Sequence, residues 1–486
     1  MAERAGQVTR DASARRKFLN WVRWVLACAV LCAMTPGGAV ARQGVDQASA
    51  DEGAGRLAMA VATQNATRTR LVVLGDAFEC ADARFVSFRR SDAEPQFADQ
   101  WYVASQLWAD AVLLRVASRQ PGDGDPLTSG RDAQPLASGW DAQALASGWD
   151  AQDAHCYLDK GFVFLDRLWD YTSAGYFARA NPVGADVDRG PRFTDDNLIA
   201  GLALLDAART STDDYAVRRY VHAARREADF LLLESTGLWD STFGGGFWWN
   251  TGRGDSQEGK PAQTNALAAL FFARLYAVTA DASYRDWALR TLLWLDTILY
   301  DPSRHLYRWS VSFSDIPHRT GASVSQRYFN YDQSIAVEAE LAALRLDDDQ
   351  NRLTRARDVA RSTQTAFWSA DLGGYNLEAN VDQVFTSYGA WTSFGFLALF
   401  GVDHDPAWLD VVRSNVHALE AKLLEADSGF AYRAYRCVDR VAKGCESGQV
   451  QQVVDHTRDT AAQAWVQHLQ TALAERLLSV DAPAGS

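Results

Sequence analysis

A polar turn rich in aspartate recurs along this chain between helical stretches, and it restricts the possible folds more than any other feature of the sequence. It stands at Asp213-Asp214-Tyr215, Asp281-Ala282-Ser283-Tyr284, Asp347-Asp348-Asp349 and Asp403-His404-Asp405-Pro406-Ala407-Trp408, with starts 68, 66 and 56 residues apart. Each unit is therefore one αα-hairpin with its loops. Around the turns apolar residues return at helical spacing, as in Phe162, Leu165, Leu168 and in Leu198, Leu202, Leu205 and in Leu267, Leu270, Leu275. Strand-like alternation is confined to short pieces such as 175–178 and 306–313. One hairpin has more apolar surface than it can bury, so several must pack side by side, in an open solenoid or a closed ring. The intervals exceed the roughly 34–47 residues of common helical solenoids and leave room for long loops on one rim. The expected fold is all-α, a closed α/α toroid with a loop-built cleft at its mouth.

The 486 residues are 48% hydrophobic and carry 17 Trp, 16 Tyr and 22 Phe, ample for a large core. That aromatic content suits a helical core or a sugar-stacking cleft equally well. A formal charge of −13 disfavours nucleic acid and anionic membranes as partners. Residues 1–41 read as an export signal: Arg15-Arg16-Lys17 precede an apolar run from Trp24 to Met34 and the small triplet Ala39-Val40-Ala41. The Arg pair resembles the bacterial twin-arginine signal, with ordinary Sec export as the alternative. The run is too short to span a bilayer, so the mature protein is expected to be free of the membrane after signal cleavage. It is further expected to be exported and to act as a monomer. Residues 42–96 read as an irregular lead-in and 97–480 as the toroid. Three tandem nonapeptides, starting at Pro126, Pro135 and Ala144, form an expected surface loop over 121–154. Cys28 and Cys32 fall in the signal. Cys437 and Cys445 bracket a short polar turn and are expected to pair, leaving Cys80 with Cys156 by elimination.

Phe193-Thr194-Asp195-Asp196-Asn197 stands directly before the apolar stretch 198–208. Paired acids there have an ordinary explanation, since Asp is a favoured N-cap and its charge suits the positive helix end. The turns at 213 and 347 show the same habit. The pair also meets a chemical requirement. Glycoside cleavage needs one carboxyl to donate a proton to the leaving oxygen and a second to attack or to activate water, the two standing about 5–5.5 Å apart for retention. Two such groups cannot both ionise freely, which splits their proton affinities.

Further motifs follow in order over about residues 190–345: Asp195-Asp196-Asn197-Leu198-Ile199-Ala200-Gly201, Gly244-Gly245-Gly246-Phe247-Trp248-Trp249, Lys260-Pro261-Ala262-Gln263-Thr264-Asn265, Leu275-Tyr276 and Tyr284-Arg285-Asp286-Trp287-Ala288. Together they resemble glycoside hydrolase family 76, the endo-α-1,6-mannanases. The resemblance implies an (α/α)6 toroid, a polysaccharide or oligosaccharide substrate and no cofactor or metal. It implies Asp195 as nucleophile and Asp196 as acid/base of a retaining double displacement. Trp248 and Trp249 match an aromatic pair that stacks on sugar faces, beside glycines that let backbone approach the ligand. At least one of them has packing under the loop as its alternative. Asn265 matches an Asn placed to bind sugar hydroxyls, with a core amide as the competing view. Tyr331 and Gln333 join the substrate-binding set; where the family shows Tyr-Asn-Gln-Gly, this chain has Tyr331-Asp332-Gln333-Ser334. Asp332 either lines the cleft or caps its helix.

Two other functions fit a toroid. A sugar epimerase of the N-acylglucosamine type moves a proton with paired His on inner helices, and no matching pair stands on the helices expected to be inner. A non-catalytic carbohydrate-binding protein would use the aspartates only as caps.

Overall fold

The computed structural model describes residues 36–75, 77–118, 149–425, 430–437 and 452–479. The chain forms two units, 1–52 and 53–486. The described residues of the first are helical, and the ring of helices and its cleft belong to the second. Residues 1–35 of the expected signal, Cys445, and the nonapeptide loop from 121 to 148 lie outside the described residues.

Helices follow one another as α1 (Pro36–Arg70), α2 (Gln100–Ala117), α3 (Ala151–Leu168), α4 (Thr194–Thr210), α5 (Asp214–Leu232), α6 (Ala262–Thr279), α7 (Ala282–Ile298), α8 (Asn330–Asp347), α9 (Gln350–Phe367), α10 (Thr386–Asp403), α11 (Pro406–Leu423) and α12 (Thr460–Ser479). Helices α2, α4, α6, α8, α10 and α12 pack each against the next, and α12 returns to α2, which closes the ring. Each member of this inner ring is buried nearly all round, as α4 shows from Leu198 to Ala208. The outer helices bury one stripe only; in α5 it is Ala216, Tyr220, Ala224, Ala228 and Leu231. The fold is the all-α toroid of αα-hairpins expected from the repeat.

The recurring aspartates turn out to be the N-caps of the outer helices. Asp213, Asp281, Asp349 and Asp405 each accept a backbone N–H from the first turn of the helix they open. A second device repeats on the inner helices. The side-chain amide of Asn197, Asn265, Gln333 and Gln463 donates to the carbonyl four residues back, and also exchanges two hydrogen bonds with one residue of the preceding loop, respectively Tyr176, Phe247, Tyr307 and Ala431. Each amide pins its loop to the start of its inner helix.

The stretch read as an irregular lead-in is largely helical. Alanine is the best helix former, and α1 places Leu57, Ala60, Val61 and Gln64 in the core. Its small residues allow close packing: a Cβ on Gly53 would meet Leu478 at 2.9 Å. Arg56 pairs with Glu420 of α11. Short antiparallel strands come next, Val72–Val73 with Ser87–Phe88. The surface loop also ends earlier than expected, because Asp150 caps α3 and the helix starts at Ala151. A Cys80–Cys156 disulfide ties the segment before α2 to α3.

Candidate active site

The inner helices aim their N-termini at one rim, where a cleft of about 300 Å³ opens. It is lined by Trp101 at the start of α2, Asp195, Asp196 and Ile199 of α4, Gln263 and Leu267 of α6, Tyr331 of α8, and Tyr388 and Trp391 of α10, with Trp249, Glu258, Pro261 and Trp309 from the loops. The positive ends of several helix dipoles thus converge on a site that holds carboxyls.

Asp195 and Asp196 are not the cap of α4. The residue before the helix is Phe193, which offers no side-chain cap, and the two acids occupy the second and third helical positions. Asp195 is 9% exposed. Its Oδ2 accepts from Trp249 Nε1 at 3.1 Å and from Gln263 Nε2 at 2.5 Å, and its Oδ1 accepts the backbone N–H of Asp196 at 3.1 Å. Burial raises its pKa to about 6 against the pull of those three donors. The Asp196 carboxyl lies half-buried in the same cleft and accepts no hydrogen bond from any described residue. Burial, then the charge of Asp195, then Asp99 hold its proton affinity well above the ordinary carboxylate range. One acid is therefore braced as an anion while its neighbour is left to keep a proton.

Trp249 reaches Asp195 because its loop is laced to the start of α4. The Thr194 backbone N–H donates to Trp249 O at 2.7 Å and its hydroxyl donates to Trp248 O at 2.7 Å. Beneath the loop, Lys260 is fully buried and donates to Asp240 Oδ1 at 2.8 Å, Thr242 O at 2.8 Å and Gly245 O at 2.6 Å. Burial lowers its pKa to about 8 despite that pairing. Gly245 and Gly246 have φ of 127° and 83°. A Cβ at Gly246 would stand 2.5 Å from the Trp294 ring, so the glycines let the loop close on the protein's own aromatics rather than on a ligand.

Three residues expected at the substrate lie elsewhere. Trp248 is 2% exposed and packs under the loop, its Nε1 donating to Asp240 Oδ2 at 2.8 Å with Lys260 Nζ 4.6 Å from the ring centroid. Asn265 and Gln333 are fully buried, with their amides spent on pinning the loops. Tyr331 and Trp249 line the cleft. Asp332 does not: it is fully buried, and its Oδ1 accepts the backbone N–H of Gln263 at 3.1 Å.

Sequence reasoning passed over Trp101, Glu258, Gln263, Trp309, Tyr388 and Trp391. A signal for part of this set existed. Asp195, Gln263 and Tyr331 all occupy the second position of their inner helix, 68 residues apart, and all three line the cleft. Trp101, Tyr388, Tyr331 and Trp391 form a continuous aromatic wall, with ring centroids 6.2 Å apart for Trp101–Tyr388, 4.8 Å for Tyr331–Tyr388 and 6.2 Å for Tyr331–Trp391. Such faces suit the C–H faces of sugar rings. Among the described residues, no group of His, Cys, Asp or Glu is arranged to hold a metal, and no helix is long and apolar enough to cross a membrane.

Solved structures share this architecture. A family 76 glycoside hydrolase from a bovine Bacteroides thetaiotaomicron strain aligns with a TM-score of 0.63 at 19% identity, covering 86% of this chain and 77% of its own. An inactive variant of a Salegentibacter α-1,6-mannanase, with two adjacent aspartates changed to asparagine and α-1,6-mannotriose bound, aligns at 0.54 with 18% identity over 87% and 99%. A cellobiose 2-epimerase from Spirochaeta thermophila aligns at 0.55 with 16% identity over 80% and 90%. These likenesses establish the fold, which carries more than one chemistry. No curated protein matches the chain. The sequence itself is more specific: residues 184–399, which hold Asp195, Asp196, Trp249, Gln263 and Tyr331, match the model of glycosyl hydrolase family 76.

Proposed function

We propose that the protein is an exported glycoside hydrolase that cleaves α-1,6-linked mannan or a related α-glycan with retention, using Asp195 as nucleophile and Asp196 as acid/base. In this reading residues 1–41 are the export signal and 97–480 the catalytic toroid, acting as a monomer. The observation that carries it is the unequal treatment of two neighbouring carboxyls in one cleft: three donors on Asp195, none from the described residues on Asp196. The family match and the bound mannotriose of the Salegentibacter mannanase support the substrate class.

The chemistry runs in two steps. Asp195 Oδ attacks the anomeric carbon while the bond to the leaving oxygen breaks, and Asp196 gives that oxygen its proton, leaving a glycosyl ester on Asp195. Asp196, now ionised, takes a proton from water as the water oxygen attacks the same carbon. The ester bond breaks, and both carboxyls return to their starting states. Trp249 and Gln263 stabilise Asp195 as the anion it begins and ends as.

The test is incubation with defined α-1,6-, α-1,2- and α-1,3-linked mannosides. Short α-1,6 oligosaccharides should form, and Asp195→Asn and Asp196→Asn should each lower kcat by about 10³-fold or more while remaining folded. Activity that survives both substitutions contradicts the assignment. An isomerised sugar would favour the epimerase instead; glycan binding without cleavage would favour a binding protein.

A further inference from the structure

Asp332 stands beside the cleft, neither facing it nor pairing with a cation among the described residues. It sits in the first turn of α8, fully buried, with Oδ1 on the Gln263 N–H at 3.1 Å and Oδ2 without a partner among the described residues. Its reach is across elements. Gln263 occupies the second position of α6, where a backbone N–H has no partner within its own helix. Asp332 thus caps a helix it does not belong to. That same residue, Gln263, turns its side chain to Asp195 Oδ2 in the shortest of the three bonds that brace this carboxyl.

We propose that Asp332 is a positioning residue: by fixing the first turn of α6 through the Gln263 N–H, it holds Gln263 Nε2 against Asp195 and so sets the proton affinity of Asp195. The inference rests on the glycosidase reading for its kinetic readout and on the two hydrogen bonds for its geometry. A carboxyl buried without a cation is costly as an anion, so Asp332 does this as a neutral acid and its acceptor oxygen is what matters. The titratable groups around Asp195 are Asp196 on its own helix, Tyr331 and Asp332 on α8, Tyr388 on α10 and Glu258 in the loop. No Lys or Arg is among the described residues lining the cleft, so neutral donors such as Gln263 carry the stabilisation of the Asp195 anion.

The experiment measures kcat/KM against pH on α-1,6-mannooligosaccharide for the wild type, Asp332→Leu, Asp332→Asn, Gln263→Leu and the Asp332→Leu/Gln263→Leu double variant. Loss of a donor to ionised Asp195 raises its pKa, so the acid limb should move up by about 1 pH unit in Asp332→Leu and in Gln263→Leu. The double variant should move no further than Gln263→Leu. Asp332→Asn keeps the acceptor oxygen and should return the limb to its wild-type position. An Asp332→Leu enzyme with reduced kcat and an unmoved acid limb, or additive shifts in the double variant, overturns the proposal. If Asp332→Leu does not fold, an Asp332→Asn limb displaced like that of Gln263→Leu overturns it equally. A wild type that cleaves no mannoside sinks the glycosidase reading alone. The Asp195 titration is then followed by the infrared carboxyl band that disappears in Asp195→Asn, with the same expected shifts.

Discussion

Three hydrogen bonds converge on Asp195 and none from the described residues reaches the Asp196 carboxyl, although the two share one helical turn. Asp195 therefore titrates near pH 6, while burial and the charge of Asp195 hold Asp196 well above the ordinary carboxylate range, so the pair loses its protons in two steps. A bell-shaped kcat/KM profile is expected: it rises through about pH 6 as Asp195 ionises and falls at higher pH as Asp196 loses its proton. Initial rates over pH 4–9 check it, and a flat profile across pH 5–7 contradicts it. The same imbalance makes a stability prediction. The folded-state pKa of Asp196 lies above its unfolded value, so the native state binds this proton more tightly and stability falls as pH rises between the two values. Asp196→Asn removes that loss and sacrifices no hydrogen bond from the described residues. It should raise stability at pH 7.5 and change it little at pH 4. Thermal unfolding at the two pH values decides the point; an equal gain at both would contradict this electrostatic origin.

At the scale of elements, the amide pins explain both what was legible and what was misread. Asn197, Asn265 and Gln333 stand 68 residues apart, a period already visible in the aspartate turns, yet two of them were assigned to substrate. An amide side chain looks the same in sequence whether it meets a sugar hydroxyl or a loop backbone. Only the fold shows that the second helical position faces the cleft while the fourth turns to the loop. The outer-helix caps were legible for the opposite reason, since capping is local and Asp213 needs only its own next turn. Asn265→Ala leaves a buried N–H and two carbonyls without their partner, so it should cost about 2–3 kcal/mol. Gln463→Ala, at a pin whose helix does not line the cleft, should cost a similar amount. Denaturant unfolding of both variants tests this. A role for Asn265 in binding substrate predicts a raised KM with little loss of stability.

Over the whole molecule, ring closure was legible because the hairpin interval is regular, whereas α1 was not, since its stripe of Ala, Gln and Thr reads as polar and carries few large apolar residues. The aromatic wall was equally hidden: Trp101, Tyr388 and Trp391 come from helices almost 300 residues apart and meet only when α10, α12 and α2 complete the circle. The Cys80–Cys156 bridge spans 76 residues, and its loss should lower stability by about 2–4 kcal/mol, read as a lowered Tm in Cys80→Ala/Cys156→Ala. Charge operates at this scale as well. A chain of net charge −13 presents Asp195, Asp196 and Glu258 at a cleft lined by no Lys or Arg among the described residues. It should turn over neutral glycans in preference to phosphorylated ones, and Glu258→Gln should narrow that preference several-fold at low salt. Competition assays with the two substrates measure it; a preference unchanged in Glu258→Gln would remove this carboxylate from the specificity. The most direct test of the paired-carboxyl mechanism is covalent trapping. A 2-deoxy-2-fluoro-mannosyl donor with a good leaving group, quenched in acid and followed by peptide mass spectrometry, should place the glycosyl group on Asp195; an adduct on any other residue, or an inverted product with no adduct, would contradict it.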